Sequence, residues 1–219
     1  MAEIKAIVFD FDGVLANSEP LHLRAFQAVL REQGVTLERD EYYQQYLGFD
    51  DVTAFRTLSE RRGLGWDETA IADVLARKTV VMDEILESTD VLYPEAAPCI
   101  ERLAAAMPLG IASGALRHEI EAILRRAHLE HHFKFIVAAG DTVSGKPSPY
   151  PYRRAARLHE LDPEQCVAIE DSRWGIESAK DAGLHCVGIT QTYPARDLPG
   201  ADAIIGSLDE FTVELFESL

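Results

Sequence analysis

Residues 4–22 read IKAIVFDFDGVLANSEPLH. Residues 4–9 form a short, mostly apolar run rich in β-branched side chains that stops at Asp10, the pattern of a strand buried on both faces of a parallel sheet. Asp10 and Asp12 stand two apart, so in extended backbone both carboxylates project to the same side. Gly13 permits a tight turn out of the strand. Comparable runs recur at 109–112, 135–138, 167–169, 186–189 and 203–205. Helical patterns separate most of them, so the fold class expected is α/β, a doubly wound parallel sheet of Rossmann-like type.

One stretch breaks the alternation. From 17 to 89 the periodicity is helical and no strand pattern occurs, which predicts an inserted helical cap domain at 17–89 and a core domain made of 1–16 and 90–219. The first cap helix begins near Asn17 or Ser18 with Pro20 in its first turn, carries His22, Phe26, Val29 and Leu30 at helical spacing, and stops at Gly34. Further helices are expected at 39–47, 51–62 and 67–86, with Gly48, Gly63 and Gly65 as breaks. The insertion is tethered at two points, immediately after the first strand and before Tyr93-Pro94, so it can hinge as a lid.

Composition limits the function classes. The 219 residues are 47% hydrophobic and 26% charged, proportions of a folded globular chain. A formal net charge of -16 argues against a nucleic-acid partner, which would need clustered Lys and Arg. An anionic substrate then needs a metal ion or a few placed cations. Cys99, Cys166 and Cys186 are odd in number and widely spaced, so neither a disulfide framework nor a zinc site is expected. With no membrane-length apolar run and no signal-like start, the expectation is a cytoplasmic protein, monomeric, without a membrane partner.

In an open α/β sheet ligands bind beyond the carboxyl ends of the strands. Four polar groups fall there: Asp10-Phe11-Asp12-Gly13, Ser113-Gly114, Gly145-Lys146-Pro147 and Glu170-Asp171. With Ser18-Glu19-Pro20-Leu21-His22 after the first group and Ser172, Gly175 and Ile176 after the last, their order resembles the haloacid dehalogenase superfamily, in the branch of small-molecule phosphatases and β-phosphoglucomutase. The resemblance spans nearly the whole chain. Taken singly, each group has a plain structural explanation, as a helix cap, a turn or a solvated loop residue. Their combination argues for catalysis.

Asp10 is suited to attack phosphorus and form an aspartyl-phosphate. A magnesium ion would offset the repulsion between that carboxylate and phosphate; Asp171 and Glu170 are the further acidic ligands, joined by Asp10 and, by resemblance, the backbone carbonyl of Asp12. The resemblance also gives Asp12 the acid/base role, worth roughly 10²–10⁴-fold. Ser113, with Gly114, is placed at the N-terminus of a helix running from about 115 to 127, suited to phosphate. Lys146 steadies phosphoryl oxygens and Asp10, with Pro147 restricting its backbone. His22 reads equally as a part-buried helix residue and, by resemblance, as a cap-side site residue. Gly48, Phe49 and Asp50 are specificity candidates by position, and Trp174 is expected to pack.

Asp12 argues against the dehalogenases, which the resemblance says lack it. β-Phosphoglucomutases carry an arginine shortly after the Gly48 turn, where this chain has Asp51, and a Ser-Lys pair where it has Ala115-Leu116. Tyr150 replaces a common acid, and Glu95 a common glycine. No lysine suited to the Schiff base of phosphonatases lies near the turn; Lys78 comes later, on a predicted helix. The expected activity is magnesium-dependent hydrolysis of a small phosphorylated metabolite. A sugar-phosphate mutase is the alternative, with a phosphonatase or a non-catalytic phosphate binder behind it.

Overall fold

The computed structural model describes residues 3–46, 49–216 and 219. The chain divides into two compact units, Ser18–Thr89 and the combination of Met1–Asn17 with Asp90–Leu219.

The smaller unit is helical: α1 (Glu19–Glu32), α2 (Arg39–Gln45), α3 (Asp51–Arg62) and α4 (Glu68–Ser88). Pro20 sits in the first turn of α1, where its missing N–H costs nothing. Asp50 and Asp67 cap α3 and α4, accepting from the backbone N–H of Thr53 and Ala70. Gly63 ends α3 in the left-handed conformation, φ 65°. Phe26, Phe55 and Tyr42 form the centre of its core, with Phe26 4.6 Å from Phe55 and 5.6 Å from Tyr42 between ring centroids. Residue 47, at the end expected for the second helix, lies outside the described residues.

The larger unit holds α5 (Ala96–Ala104), α6 (Arg117–Arg126), α7 (Tyr150–His159), α8 (Arg173–Ala182) and α9 (Val213–Phe216). Its strands are β1 (Ala6–Phe9), β2 (Leu109–Ala112), β3 (Phe133–Val137), β4 (Cys166–Glu170), β5 (His185–Ile189) and β6 (Ala203–Ile205). They form one parallel sheet in the order β3-β2-β1-β4-β5-β6. β1, the run that opens the sequence, lies near the middle and is buried throughout. Its side chains alternate: Ala6 and Val8 join Tyr152, Ala155, Ile176 and Ala179 of α7 and α8. On the other face Phe9 meets Phe133 and Phe211 edge to face, at 6.1 and 5.8 Å. β1 separates β2 from β4, so the strand order reverses at its carboxyl end, the place where such sheets bind ligands.

β3 starts two residues earlier than its apolar pattern, at Phe133. α6 starts at Arg117 rather than near 115, because Leu116 is the extended residue before it. A short antiparallel ribbon closes the base of the insertion: Ala16 bridges Leu92, Asn17 N–H donates to the Val91 carbonyl at 2.8 Å, and Tyr93 N–H donates to the Leu15 carbonyl at 2.9 Å. The cysteines are unpaired and buried. No helix among the described residues is long and apolar enough to cross a membrane.

Candidate active site

Parallel pairing brings the strand-end motifs together. Phe9 stands opposite Ile111 on one side and Ile169 on the other, so Asp10, Ser113 and Glu170 leave neighbouring strands at nearly one level. Asp10 N–H donates to the Ile169 carbonyl at 3.0 Å, extending the ladder by one residue and holding the carboxylate in place. Asp10, Glu170 and Asp171 are all buried, and one carboxylate oxygen of each lies within 4.8 Å of the others.

Lys146 reaches into this cluster from the loop before α7. Its Nζ donates to Asp10 Oδ1 at 2.7 Å and to Glu170 Oε1 at 2.5 Å. The Lys146-Pro147 peptide is cis. Burial works against the ammonium, yet Asp10 and Glu170 together hold its pKa above the ordinary lysine value. Burial, then the charge of Asp10, raises Glu170 to about 7. The same two causes push Asp171 well above the carboxylate range, against a hydrogen bond from Thr192.

Three buried carboxyls cluster around one ammonium that bonds two of them, which leaves an excess of two negative charges when all are ionised. A divalent cation with oxygen ligands matches both that excess and the donor set. Asp10, Glu170 and Asp171 are the side chains that can hold it. The Asp12 side chain lies outside this cluster of three. A magnesium ion there would supply positive charge to an entering phosphoryl group.

Two glycines give the site its space. Gly13 has φ +76°, and a Cβ there would stand 1.9 Å from Asp171 Oδ2 and 2.6 Å from Thr192 Oγ1. Any other residue would both strain the turn and displace Asp171. Gly175 lies in the first turn of α8, and a Cβ there would come within 2.0 Å of Glu170 Cδ and both its carboxylate oxygens. Ser172, the N-cap of α8, accepts from Gly175 N–H at 3.1 Å.

Ser113 is buried one step past β2, and its Oγ accepts from Ala115 N–H at 3.1 Å. It therefore orders the turn rather than capping α6, which begins four residues later. Gly114 is exposed, with open space where a side chain would be. Trp174, expected to pack, is 38% exposed. It meets Tyr193 edge to face at 6.4 Å and carries the Arg173 guanidinium 4.5 Å above its ring, in a groove also lined by Arg196, Asp197 and Pro199.

The specificity candidates belong to the helical unit. Gly48 lies outside the described residues. Phe49 is exposed. Asp50 accepts from Thr53 N–H at 3.0 Å and Oγ1 at 2.7 Å, so its carboxylate serves the cap of α3. His22 belongs to a part-buried polar cluster around a buried lysine: Lys78, only 1% exposed, places Nζ 2.5 Å from Asp51 Oδ2, 3.0 Å from His22 Nδ1 and 4.8 Å above the Phe26 ring. An ammonium can only donate, so His22 Nδ1 accepts and Nε2 carries the proton. Burial, then the nearby Lys78 charge, lowers His22 to about 4. Tyr42 donates to Glu19 Oε1 at 2.5 Å beside them. Read from sequence, Asp51 is an acid in place of a cation; in the structure it is the partner of one.

Tyr152, Thr192 and the spatial role of Gly175 escape the motif reading. Tyr152 reads as core because it lies on the apolar face of α7. Thr192 follows β5, so the strand-end rule applied once more would have reached it.

The chain matches the haloacid dehalogenase-like hydrolases over residues 4–183. It belongs to that family. Protein CbbY of Rhodobacter capsulatus is 34% identical over 209 residues, 89% of each chain. A crystal structure of a CbbY variant from Rhodobacter sphaeroides, in complex with xylulose-(1,5)bisphosphate, superposes with a TM-score of 0.82 at 30% identity, covering 94% of this chain and 96% of that one. Validoxylamine A 7'-phosphate phosphatase of Streptomyces hygroscopicus subsp. limoneus is 29% identical over 94% of this chain and 95% of its own, and the β-phosphoglucomutase of Bacillus subtilis is 28% identical over 97% of this chain and 93% of its own. The chain is thus an enzyme of a hydrolase family whose named relatives act on phosphorylated sugars and related compounds.

Proposed function

We propose that this hydrolase is a magnesium-dependent phosphatase of a small phosphorylated metabolite, of the sugar-phosphate or phosphoglycolate kind. The observation that carries the reading is the bonding of Lys146 to both Asp10 and Glu170, with Asp171 in the same cluster.

An Asp10 oxygen attacks phosphorus, the bond from phosphorus to the substrate oxygen breaks, and Asp12 gives its proton to the departing oxygen. Asp12, now a carboxylate, takes a proton from a water whose oxygen attacks the aspartyl-phosphate. The bond from phosphorus to Asp10 then breaks, releasing phosphate and restoring both acids. Lys146 keeps Asp10 oriented and supplies positive charge to the transferring oxygens, aided by Ser113 and Gly114. Magnesium is assigned to Asp10, Glu170, Asp171 and the Asp12 carbonyl. Substrate choice is assigned to the helical unit, with His22, Gly48, Phe49 and Asp50 as candidates, and the working form to a cytoplasmic monomer.

A sugar-phosphate mutase is the second reading, because Lys78 gives the helical unit a buried cation beyond what its turn at Gly48 suggests. That ammonium is already paired with Asp51, which favours hydrolysis. Incubation with a hexose 1-phosphate and a trace of its bisphosphate in Mg²⁺ decides between them. Free phosphate is expected; isomerised sugar without net phosphate release would overturn the phosphatase.

A further inference from the structure

Glu170 is held in an unequal way. Its Oε1 accepts two strong hydrogen bonds, from Lys146 Nζ at 2.5 Å and from Tyr152 Oη–H at 2.6 Å. Its Oε2 has only a long contact from Ser172 Oγ at 3.4 Å. Tyr152 is fully buried, packed with Ala155 and Ala156 on the inner face of α7, and its ring lies 5.1 Å beneath the Lys146 ammonium. One side chain thus supports both partners: the hydroxyl takes up Glu170 Oε1, and the ring face holds Lys146 where it reaches Asp10.

We propose that Tyr152 is a positioning residue that turns Glu170 so that Oε2 is the oxygen left for the divalent cation, while its ring steadies Lys146 against the nucleophile. An oxygen already accepting from an ammonium and a phenol is a poor ligand, so the cation takes the other. Gly175, which has no Cβ, gives the carboxylate the room it occupies against α8. The proposal rests on the metal-dependent reading above, and binding of Mg²⁺ alone tests it apart from turnover.

The experiment compares Tyr152→Phe, which loses only the hydroxyl, with Tyr152→Met, which loses hydroxyl and ring. Titration calorimetry of the full chain with Mg²⁺ is run beside thermal melting and phosphate release at saturating Mg²⁺. Both variants are expected to bind Mg²⁺ about 10-fold more weakly, the usual consequence of losing a hydrogen bond to a metal ligand. Turnover at saturating Mg²⁺ should separate them: Tyr152→Met, which loses the ring as well, falls about 10-fold or more below Tyr152→Phe. Wild-type Mg²⁺ affinity in either folded variant would overturn the proposal, as would losses of affinity and kcat that simply follow the loss in melting temperature. If one variant does not fold, the Mg²⁺ affinity of the other decides.

Discussion

Each unit of this chain holds a lysine set among acids, Lys78 buried and Lys146 part-buried, and the two sets have nearly the same parts. Lys146 lies over the ring of Tyr152 and Lys78 over that of Phe26. Tyr152 donates to Glu170 as Tyr42 donates to Glu19, and each lysine is bonded to an aspartate, Asp10 or Asp51. The difference is in the charge count. Lys146 is shared by Asp10 and Glu170 with Asp171 alongside, whereas Lys78 divides itself between one carboxylate and a neutral imidazole. With Glu19 counted, the second set has at most one excess negative charge, and burial raises the Glu19 pKa, which favours its neutral form. The first is left anionic, and so calls for a cation and for a charged group to transfer. A buried lysine alone marks nothing; the excess of acid around it marks the chemistry.

That contrast can be broken in four ways. The largest effect is expected from Asp10→Asn, which should lower Mg²⁺-dependent phosphate release by at least about 10³-fold, because no other group takes over the nucleophile. Turnover near wild type would remove the core cluster's claim to the chemistry. Next is metal linkage: chelation should abolish turnover, and excess Mg²⁺ should both restore it and raise the melting temperature, by roughly 2.7 kcal/mol of stability at a hundred times the dissociation constant. Asp171→Asn should weaken that rise while making the metal-free chain more stable by about 1–2 kcal/mol, since it removes a carboxyl whose ionisation burial and Asp10 oppose.

Asp51→Asn should act in the opposite sense. It strands the Lys78 ammonium and should cost about 1–3 kcal/mol in denaturant melts, with Mg²⁺ affinity unchanged. Stability equal to wild type would show that the helical unit's lysine is not held by charge balance.

A last effect, confined to acid pH, concerns a titrating group outside both clusters. His159 is buried against Phe135, ring centroids 4.6 Å apart, over Gly110, where a Cβ would stand 2.4 Å from the Phe135 ring. Neither ring nitrogen makes a well-formed hydrogen bond; burial lowers its pKa to about 4 against a weaker pull from the Ile7 backbone. The unfolded chain therefore takes up a proton below about pH 6.5 that the folded chain refuses until about pH 4. Stability is full above that window and falls through it, by about 1–3 kcal/mol. His159→Phe should flatten the slope; an unaltered pH dependence would place it elsewhere.

The sheet was legible because buried parallel strands are short unbroken apolar runs, and 109–112 and 203–205 matched the observed strands at both ends. The site was legible as far as polar residues follow strands directly, which covers Asp10, Ser113, Glu170 and Asp171. Tyr152 was not, because a residue on the apolar face of a helix looks like core until the partner of its hydroxyl is known. Lys78 was hidden for a similar reason. On a predicted helix a lysine reads as solvated, and its burial depends on Asp51 and His22, 27 and 56 residues earlier. Asp50 shows the reverse, a position chosen for specificity whose carboxylate is engaged in capping.

The ribbon of Leu15, Ala16 and Asn17 against Val91, Leu92 and Tyr93 bears on how such a chain can change over time. It joins the two ends of the insertion within the sheet-bearing unit, so the core sees the same short span whatever is threaded between them. Lengthening or replacing that segment alters loop-closure entropy by only about 0.6 kcal/mol per doubling. The strand that ends at Asp10 can therefore keep its register while the inserted module is lengthened or exchanged.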